Sequence, residues 1–175
     1  MQTNEIEISK KLRQAIRPSR YRHTLGVTDT AVLLAACYGA DMEKARIAGL
    51  LHDCGKEAAS ALEHGAVGAK LAKEEYGIND EEILSAICWH TTGRPGMTLL
   101  EKIIFVADYI EPCRDGRLPA ERLRLLRKTA FQDLDKTVVM ILEDTFAFLK
   151  SRKTTIDKKS VDTYGYYKEL VSGKE

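Results

Sequence analysis

The apolar residues of this 175-residue chain recur every three or four positions along almost its whole length. That spacing places them on one face of an α-helix, whereas the strict alternation typical of a half-buried β-strand is absent. Only four prolines interrupt the pattern. The chain is long enough to bury a core without disulfides or a structural metal. The sequence therefore predicts an all-α protein that folds as a single helical bundle.

Glycines, prolines and capping residues divide this pattern into eight predicted helices and a tail. The first helix ends before Pro18, the second is capped by Ser19, and the third is capped by Asp41. Thr98 and Glu101 have the spacing of a capping box at the start of the sixth helix. The predicted helices span residues 5–17, 19–39, 42–53, 61–76, 80–90, 98–111, 120–129 and 134–150.

All residues, 1–175, are predicted to belong to one domain. Residues from about 19 to 115 carry the motifs described below and form its predicted core, whereas residues 118–175 supply further helices and a tail. The tail is polar, but Tyr164, Tyr166, Tyr167 and Leu170 predict a short element docked on the bundle.

Charge and cysteine usage exclude several classes of function. The net charge is +1, so no global field attracts nucleic acid or an anionic membrane surface. No apolar run reaches the roughly 20 residues that a membrane-spanning helix needs. Residues 1–8 lack the apolar segment of a signal peptide, and no Cys-x-x-Cys pair occurs. We therefore expect reduced thiols, a cytoplasmic location, and neither a membrane nor a nucleic-acid partner.

All four histidines, together with two aspartates, are candidate metal ligands. Imidazole and carboxylate are the groups that borderline divalent metals prefer. His52 and Asp53 are adjacent at a predicted helix end, where both can reach one site, especially if the carboxylate bridges two ions. If the side chains converge, the protein is a two-metal enzyme whose ligands are His23, His52, Asp53, His64, His90 and Asp108.

The surroundings of these residues support a shared site. His90 and Asp108 each extend the apolar stripe of a predicted helix, so both are expected to be buried. A buried carboxylate is costly without a cation, so Asp108 needs either a metal ion or a buried arginine or lysine. His64 is followed by Gly65 and Gly68, which predict close approach of another helix or a bound ligand. Taken singly, each histidine also fits an ordinary packed core residue.

Longer strings resemble a known family. The His52–Asp53 pair, with His23 and Asp108, follows the pattern of the HD superfamily of metal-dependent phosphohydrolases, and His64 and His90 extend it to the two-metal branch. The chain further resembles the YqeK family, the symmetrical bis(5′-nucleosyl)-tetraphosphatases, over nearly its whole length. This resemblance implies an HD-type helical bundle with additional C-terminal helices. The matching strings are RYRHTLGV (20–27), HGAVGA (64–69), HTTGRPGMTLLEK (90–102), VADYIEPCR (106–114) and DTYGYYKELVSG (162–173).

The resemblance also implies a reaction. Diadenosine tetraphosphate would be cut symmetrically into two ADP by attack of a metal-bound hydroxide. Two divalent ions would take part, with iron the first choice and manganese, cobalt or zinc as substitutes. The bound partner would be a dinucleoside polyphosphate or a nucleoside diphosphate. The implied ligands are His23, His52, Asp53 and Asp108 for the first ion and Asp53, His64 and His90 for the second.

Neutralising phosphate charge is most of the catalytic task for such a substrate. Lys56, three residues after Asp53, is the first candidate for a phosphate contact, and these two residues are predicted to be catalytic. A solvated surface charge is an equally good interpretation of any single basic residue. The predicted substrate-binding residues are Arg20, His23, Lys56, Thr92, Gly93, Arg94 and Arg114.

Two features depart from the family's pattern. Only residues 54–63 separate Asp53 from His64, where family members have a longer segment that could supply a lid or a nucleotide contact. In addition, Cys54 replaces the residue that usually follows the aspartate.

Other functions stay open from the sequence alone. Some two-metal HD proteins are oxygenases, and others cleave cyclic dinucleotides or guanosine polyphosphates; the basic residues favour phosphate chemistry. A nucleotide-binding regulator without turnover is a different class, and the complete set of candidate ligands argues against it. A homodimer is compatible with a helical domain of this size.

Overall fold

A computed structural model describes residues 5–114, 116 and 118–173. In this part of the chain the regular structure is entirely helical, which confirms the all-α prediction. A short 3-10 helix (Pro112–Arg114) lies between the sixth and seventh α-helices. The α-helices are α1 (Glu5–Ala15), α2 (Pro18–Tyr38), α3 (Met42–Leu51), α4 (His64–Tyr76), α5 (Glu81–Trp89), α6 (Leu99–Ile110), α7 (Ala120–Ala130), α8 (Leu134–Ser151) and α9 (Lys158–Ser172).

Helices α2, α3, α5 and α6 pack against one another at the centre of the bundle. Their apolar faces meet there, and Leu34, Leu51, Ile87 and Ile104 are completely buried. Helix α4 packs on α5. Helix α8 packs on α6, α9 packs on α8, and α7 contacts both α6 and α8. None of the described helices is both long and apolar enough to cross a membrane.

The helix starts follow the predicted caps, with one exception. The Asp41 side chain accepts the first free backbone N–H groups of α3, and Thr98 and Glu101 form a complete capping box on α6. The prediction that Ser19 caps α2 is wrong. The helix instead begins at Pro18, because the proline ring presets φ for the first helical position and has no N–H to satisfy.

The predicted fourth helix begins three residues too early. Residues 52–63 form a series of turns, and α4 starts only at His64. Gly55 explains this turn, because a β-carbon at this position would overlap the backbone of both His64 and Gly68. The segment that follows Asp53 is therefore folded back directly against the first turns of α4.

The tail forms a longer element than the short one predicted. Helix α9 has 15 residues and packs on α8. Tyr167 is buried and Tyr164 is partly buried, as expected of docked residues. The element is docked as predicted, although Tyr166 and Leu170 are exposed and contribute less to the contact than the other two residues.

The two glycines that follow His64 allow close contact between α4 and α5. A β-carbon at Gly65 would overlap the backbone carbonyl of Cys88, and one at Gly68 would lie 3.3 Å from Ile87 Cγ2. The sequence left open whether a helix or a ligand approaches these glycines. The structure shows that it is a helix.

Gly65→Ala is expected to lower the free energy of unfolding by about 2–3 kcal/mol, because the new methyl group meets backbone rather than a flexible side chain. Gly165→Ala in α9 is the matched control, since nothing lies within 4 Å of its added β-carbon. Helix propensity alone should make that variant about 0.5–1 kcal/mol more stable. Chemical denaturation measures both, and changes of the same sign would contradict the packing role of Gly65.

Candidate metal centre

The six predicted ligands converge in the middle of the bundle. They come from five separate stretches of the chain, since His52 and Asp53 are adjacent, and three of them lie at helix ends. Two groups form, and within each group the potential donor atoms all lie within 4.8 Å of one another. The groups are His23, His52 and Asp108, and Asp53, His64 and His90.

Asp53 connects the two groups. Its Oδ1 atom lies 3.2 Å from His64 Nε2 and 3.5 Å from His90 Nε2. Its Oδ2 atom lies 3.7 Å from His52 Nε2 and 3.9 Å from His23 Nε2. The side chain is only 5% exposed. One buried carboxylate thus turns one oxygen towards each group, which is the placement of a bridging ligand.

Two histidines are oriented by helix ends. His52 follows the last residue of α3, and its Nδ1 donates to Gly49 O at 2.7 Å. His90 follows α5 in the same way, and its Nδ1 donates to Ile87 O at 2.7 Å. A carbonyl can only accept, so Nδ1 carries the proton and Nε2 presents a lone pair to the centre. The helix ends therefore set both the orientation and the tautomer of these rings.

His23 is oriented by a carboxylate that the sequence analysis missed. Its Nδ1 donates to Glu111 Oε1 at 2.9 Å, and Glu111 is completely buried. The same carboxylate accepts the backbone N–H of Cys113 at 2.6 Å. A β-carbon at Gly26 would collide with it, so this glycine makes room for Glu111 beside α2. The available signal was the spacing, since Glu111 lies three residues after Asp108.

The donor atoms fit a cation. The Nε2 atoms of His52 and His23 lie 3.3 Å apart, and both are lone-pair acceptors because both Nδ1 atoms carry protons. Asp108 Oδ1 lies 3.0 Å from His23 Nε2. Three acceptors that face one another need a shared positive charge, either a proton or a metal ion. Neutral imidazoles with their second nitrogen held by a carbonyl or carboxylate are typical metal ligands.

The histidine pKa values reflect this convergence. Burial lowers the pKa of His52 to about 4, so the ring is neutral near pH 7. Burial also disfavours the charged form of His23, but hydrogen bonds with Asp108 and Glu111 outweigh it and raise the pKa of that ring. His23 is therefore the ring that takes up a proton when no other cation is present.

Both aspartates stay ionised at the centre. Burial disfavours their charged forms, yet the adjacent imidazoles of His64 and His90 hold the pKa of Asp53 well below its usual range. His23 has the same effect on the pKa of Asp108, assisted by Arg114. Asp108 is less buried than predicted, with its side chain 23% exposed. Of the two partners that the sequence left open for it, the structure shows an arginine beside the imidazoles.

Three predicted phosphate contacts surround the centre, and each touches a predicted ligand. Arg20 Nη1 lies 2.6 Å from Asp53 Oδ2. Lys56 Nζ lies 3.3 Å from His64 Nε2, and Arg114 Nη2 lies 2.8 Å from Asp108 Oδ1. Three basic side chains therefore lie next to the predicted metal ligands.

The contacts of the other predicted substrate residues lie elsewhere. The Thr92 hydroxyl donates to the carbonyl of Gly93. A β-carbon at Gly93 would overlap Thr163 of α9, so this backbone is covered by the C-terminal helix. Arg94 forms two hydrogen bonds with buried Glu101, at 2.8 and 3.0 Å. Their roles in substrate binding stay predictions without support from these contacts.

Thr91 occupies the position that was expected of Thr92. Its Oγ1 lies 3.1 Å from His64 Nε2 and 3.2 Å from His90 Nε2. The hydroxyl therefore points into the second group of ligands. Both threonines follow His90 directly, and the sequence does not indicate which of the two hydroxyls faces the ligands.

A helical bundle that gathers histidines and aspartates around two adjoining positions defines the class of HD-domain proteins, and the HD domain model matches residues 20–113. The symmetrical bis(5′-nucleosyl)-tetraphosphatase of Bacillus subtilis (strain 168) is 39% identical over 97% of this chain and 99% of that protein. The enzyme of the same name from Staphylococcus aureus (strain NCTC 8325 / PS 47) is 39% identical over 93% and 94%. The chain therefore belongs to the HD-domain family and, within it, to the family of symmetrical bis(5′-nucleosyl)-tetraphosphatases.

A solved structure agrees with this assignment. An HD superfamily hydrolase from Clostridium acetobutylicum, described as involved in NAD metabolism, superposes with a TM-score of 0.83 at 39% sequence identity. The superposition covers 94% of this chain and 96% of the other. The alignment with the Bacillus subtilis relative runs over 191 positions, more than this chain has, so that relative contains residues that this chain lacks.

Proposed function

We propose that this chain hydrolyses dinucleoside tetraphosphates at their centre, and that it converts diadenosine tetraphosphate into two molecules of ADP. The observation that carries the proposal is the position of Asp53, whose two oxygens face separate groups of ligands. The names of the full-length relatives support the substrate.

The two groups suit two divalent ions that share Asp53. Iron is the first choice, because mixed imidazole and carboxylate sites suit it, and manganese, cobalt or zinc are substitutes. When bound, such ions activate water and neutralise phosphate charge. The proposed ligands are His23, His52, Asp53 and Asp108 for one ion and Asp53, His64 and His90 for the other.

The chain's own side chains then have defined tasks. Arg20, Lys56 and Arg114 offer positive charge to a substrate that carries several negative charges. The Thr91 hydroxyl is placed to donate to a phosphoryl oxygen beside His64. In the reaction, the oxygen of water bonds to one inner phosphorus atom and the bridging P–O bond breaks. The bridging oxygen leaves with the other half, so each product carries two phosphates.

Product analysis tests the reaction. The purified protein is incubated with manganese or iron(II) and with diadenosine tri-, tetra- and pentaphosphate, a cyclic dinucleotide and guanosine tetraphosphate, and the products are separated by chromatography. We expect ADP alone from the tetraphosphate. Formation of AMP and ATP would contradict symmetric cleavage, and turnover of only the last two compounds would reassign the chain to another HD-type nucleotide hydrolase.

Glu111→Gln is expected to weaken metal binding and turnover by about 10–100-fold, because the single amide oxygen cannot accept from both His23 Nδ1 and the backbone N–H of Cys113, and the negative charge beside the ring is lost. Glu101→Gln is the matched control, since Glu101 is equally buried but pairs with Arg94 instead of a histidine. It should lower stability and leave metal affinity unchanged. Calorimetric titration with manganese measures the affinity, and equal affinities for both variants would contradict the role assigned to Glu111.

A cytoplasmic location and a homodimeric assembly stay predictions from the sequence. None of the four cysteines, all of which lie in the described residues, forms a disulfide. Light scattering after size-exclusion chromatography gives the mass of the particle, and the mass of a monomer would contradict the predicted homodimer.

A further inference from the structure

A cavity of about 660 Å³ opens beside the metal centre, between the turn after α3, the C-terminal end of α6 and the C-terminal half of α8. Its volume is in the range of pockets that enclose a small organic ligand. Among the described residues its lining consists of Lys56, Tyr109, Arg114, Leu118, Asp144, Thr145, Phe148 and Leu149.

One side of the cavity belongs to the metal centre. Lys56 Nζ lies within 3.4 Å of both ring nitrogens of His64, and Arg114 pairs with Asp108 at 2.8 Å. A ligand in the cavity would therefore meet Lys56 and Arg114 on the side nearest the metal centre, where the proposed reaction takes place. Anionic groups are favoured at this end.

The other side is apolar and aromatic. Leu118, Leu149 and Phe148 line it, and Phe148 is 58% exposed although its ring is large and apolar. Asp144, the one carboxylate among the described lining residues, is paired with Arg122 at 2.9 Å, so its charge is balanced. This side suits a flat, uncharged group such as a nucleobase, which stacks favourably on an aromatic ring.

We propose that this cavity receives one nucleoside of the dinucleotide, with its base against Phe148 and its phosphates directed to Lys56 and Arg114. The inference rests on the proposed function. It assigns different tasks to two parts of the chain, because the apolar wall lies after residue 113, where the match to the HD domain ends. The HD core supplies the proposed metal ligands and Lys56, Arg114 follows it directly, and the C-terminal helices recognise the nucleoside.

Binding of ADP and of pyrophosphate to the manganese-loaded protein tests this assignment, because neither contains the central phosphoanhydride that joins two nucleoside diphosphates. Phe148→Ala is expected to weaken ADP binding about tenfold and to leave pyrophosphate binding unchanged, since only ADP has a base to stack. Phe148→Tyr keeps an aromatic ring and should bind ADP like the parent. Phe131→Ala is the matched control, since Phe131 is 42% exposed but lies outside the cavity lining.

Parental ADP affinity in Phe148→Ala would overturn the assignment, and so would an equal loss for ADP and pyrophosphate. The outcome is separable from that of the proposed function. Selective loss of ADP binding in a protein that does not cut the tetraphosphate would reject the hydrolase and keep the nucleoside pocket. Symmetric cleavage by the parent protein, together with parental ADP binding in Phe148→Ala, would keep the hydrolase and reject the nucleoside pocket.

Discussion

Asp53→Ala is expected to reduce turnover of diadenosine tetraphosphate by at least about a thousandfold, because both proposed metal sites lose a ligand at once. The change removes the carboxylate whose oxygens lie 3.2 Å from His64 and 3.7 Å from His52. Steady-state assays with saturating manganese measure the effect.

Asp29→Ala is the control for this variant. Asp29 is an exposed acid on α2, the helix that carries His23, and its removal should leave turnover unchanged. If Asp53→Ala kept turnover within tenfold of the parent while remaining folded, the bridging role would be wrong.

His64→Ala is expected to remove one of the two ions and to lower turnover by about a hundredfold or more. The group of His23, His52 and Asp108 keeps all its members in this variant, so one ion per chain should remain. Elemental analysis gives the number of ions per chain alongside the rate.

Lys70→Ala, an exposed change on the same helix, provides the comparison for His64→Ala. It should bind two ions and turn over at the parental rate. Two ions retained in His64→Ala would show that this ring is not a ligand.

The sequence predicts the helices well because their ends have local chemical signals. Asp41 and the pair Thr98 and Glu101 act through bonds within a few residues, and these caps form as predicted. The start of α4 depends instead on contact between Gly55 and Gly68, which are far enough apart that no local signal marks the boundary.

In the candidate site, too, some features could be predicted from the sequence and others depend on contacts that form only in the folded chain. The convergence of the six candidate ligands could be predicted from the sequence because few residue types bind metals and every histidine lies at a helix end or on a helical face. The spacing from Asp108 could have placed Glu111 near the site, but it could not identify Glu111 as the partner of His23, because those two residues are 88 positions apart and meet only in the folded chain. The choice between Thr91 and Thr92 depends on how the chain turns after His90, which side-chain periodicity does not determine.

Anomalous diffraction from crystals of the manganese-loaded protein tests the central claim most directly. We expect two metal peaks at the centre of the bundle, with Asp53 between them. One peak should contact His23, His52 and Asp108, and the other His64 and His90. A protein that cleaves the tetraphosphate while showing no peak, or a single peak away from Asp53, would contradict the two-metal account.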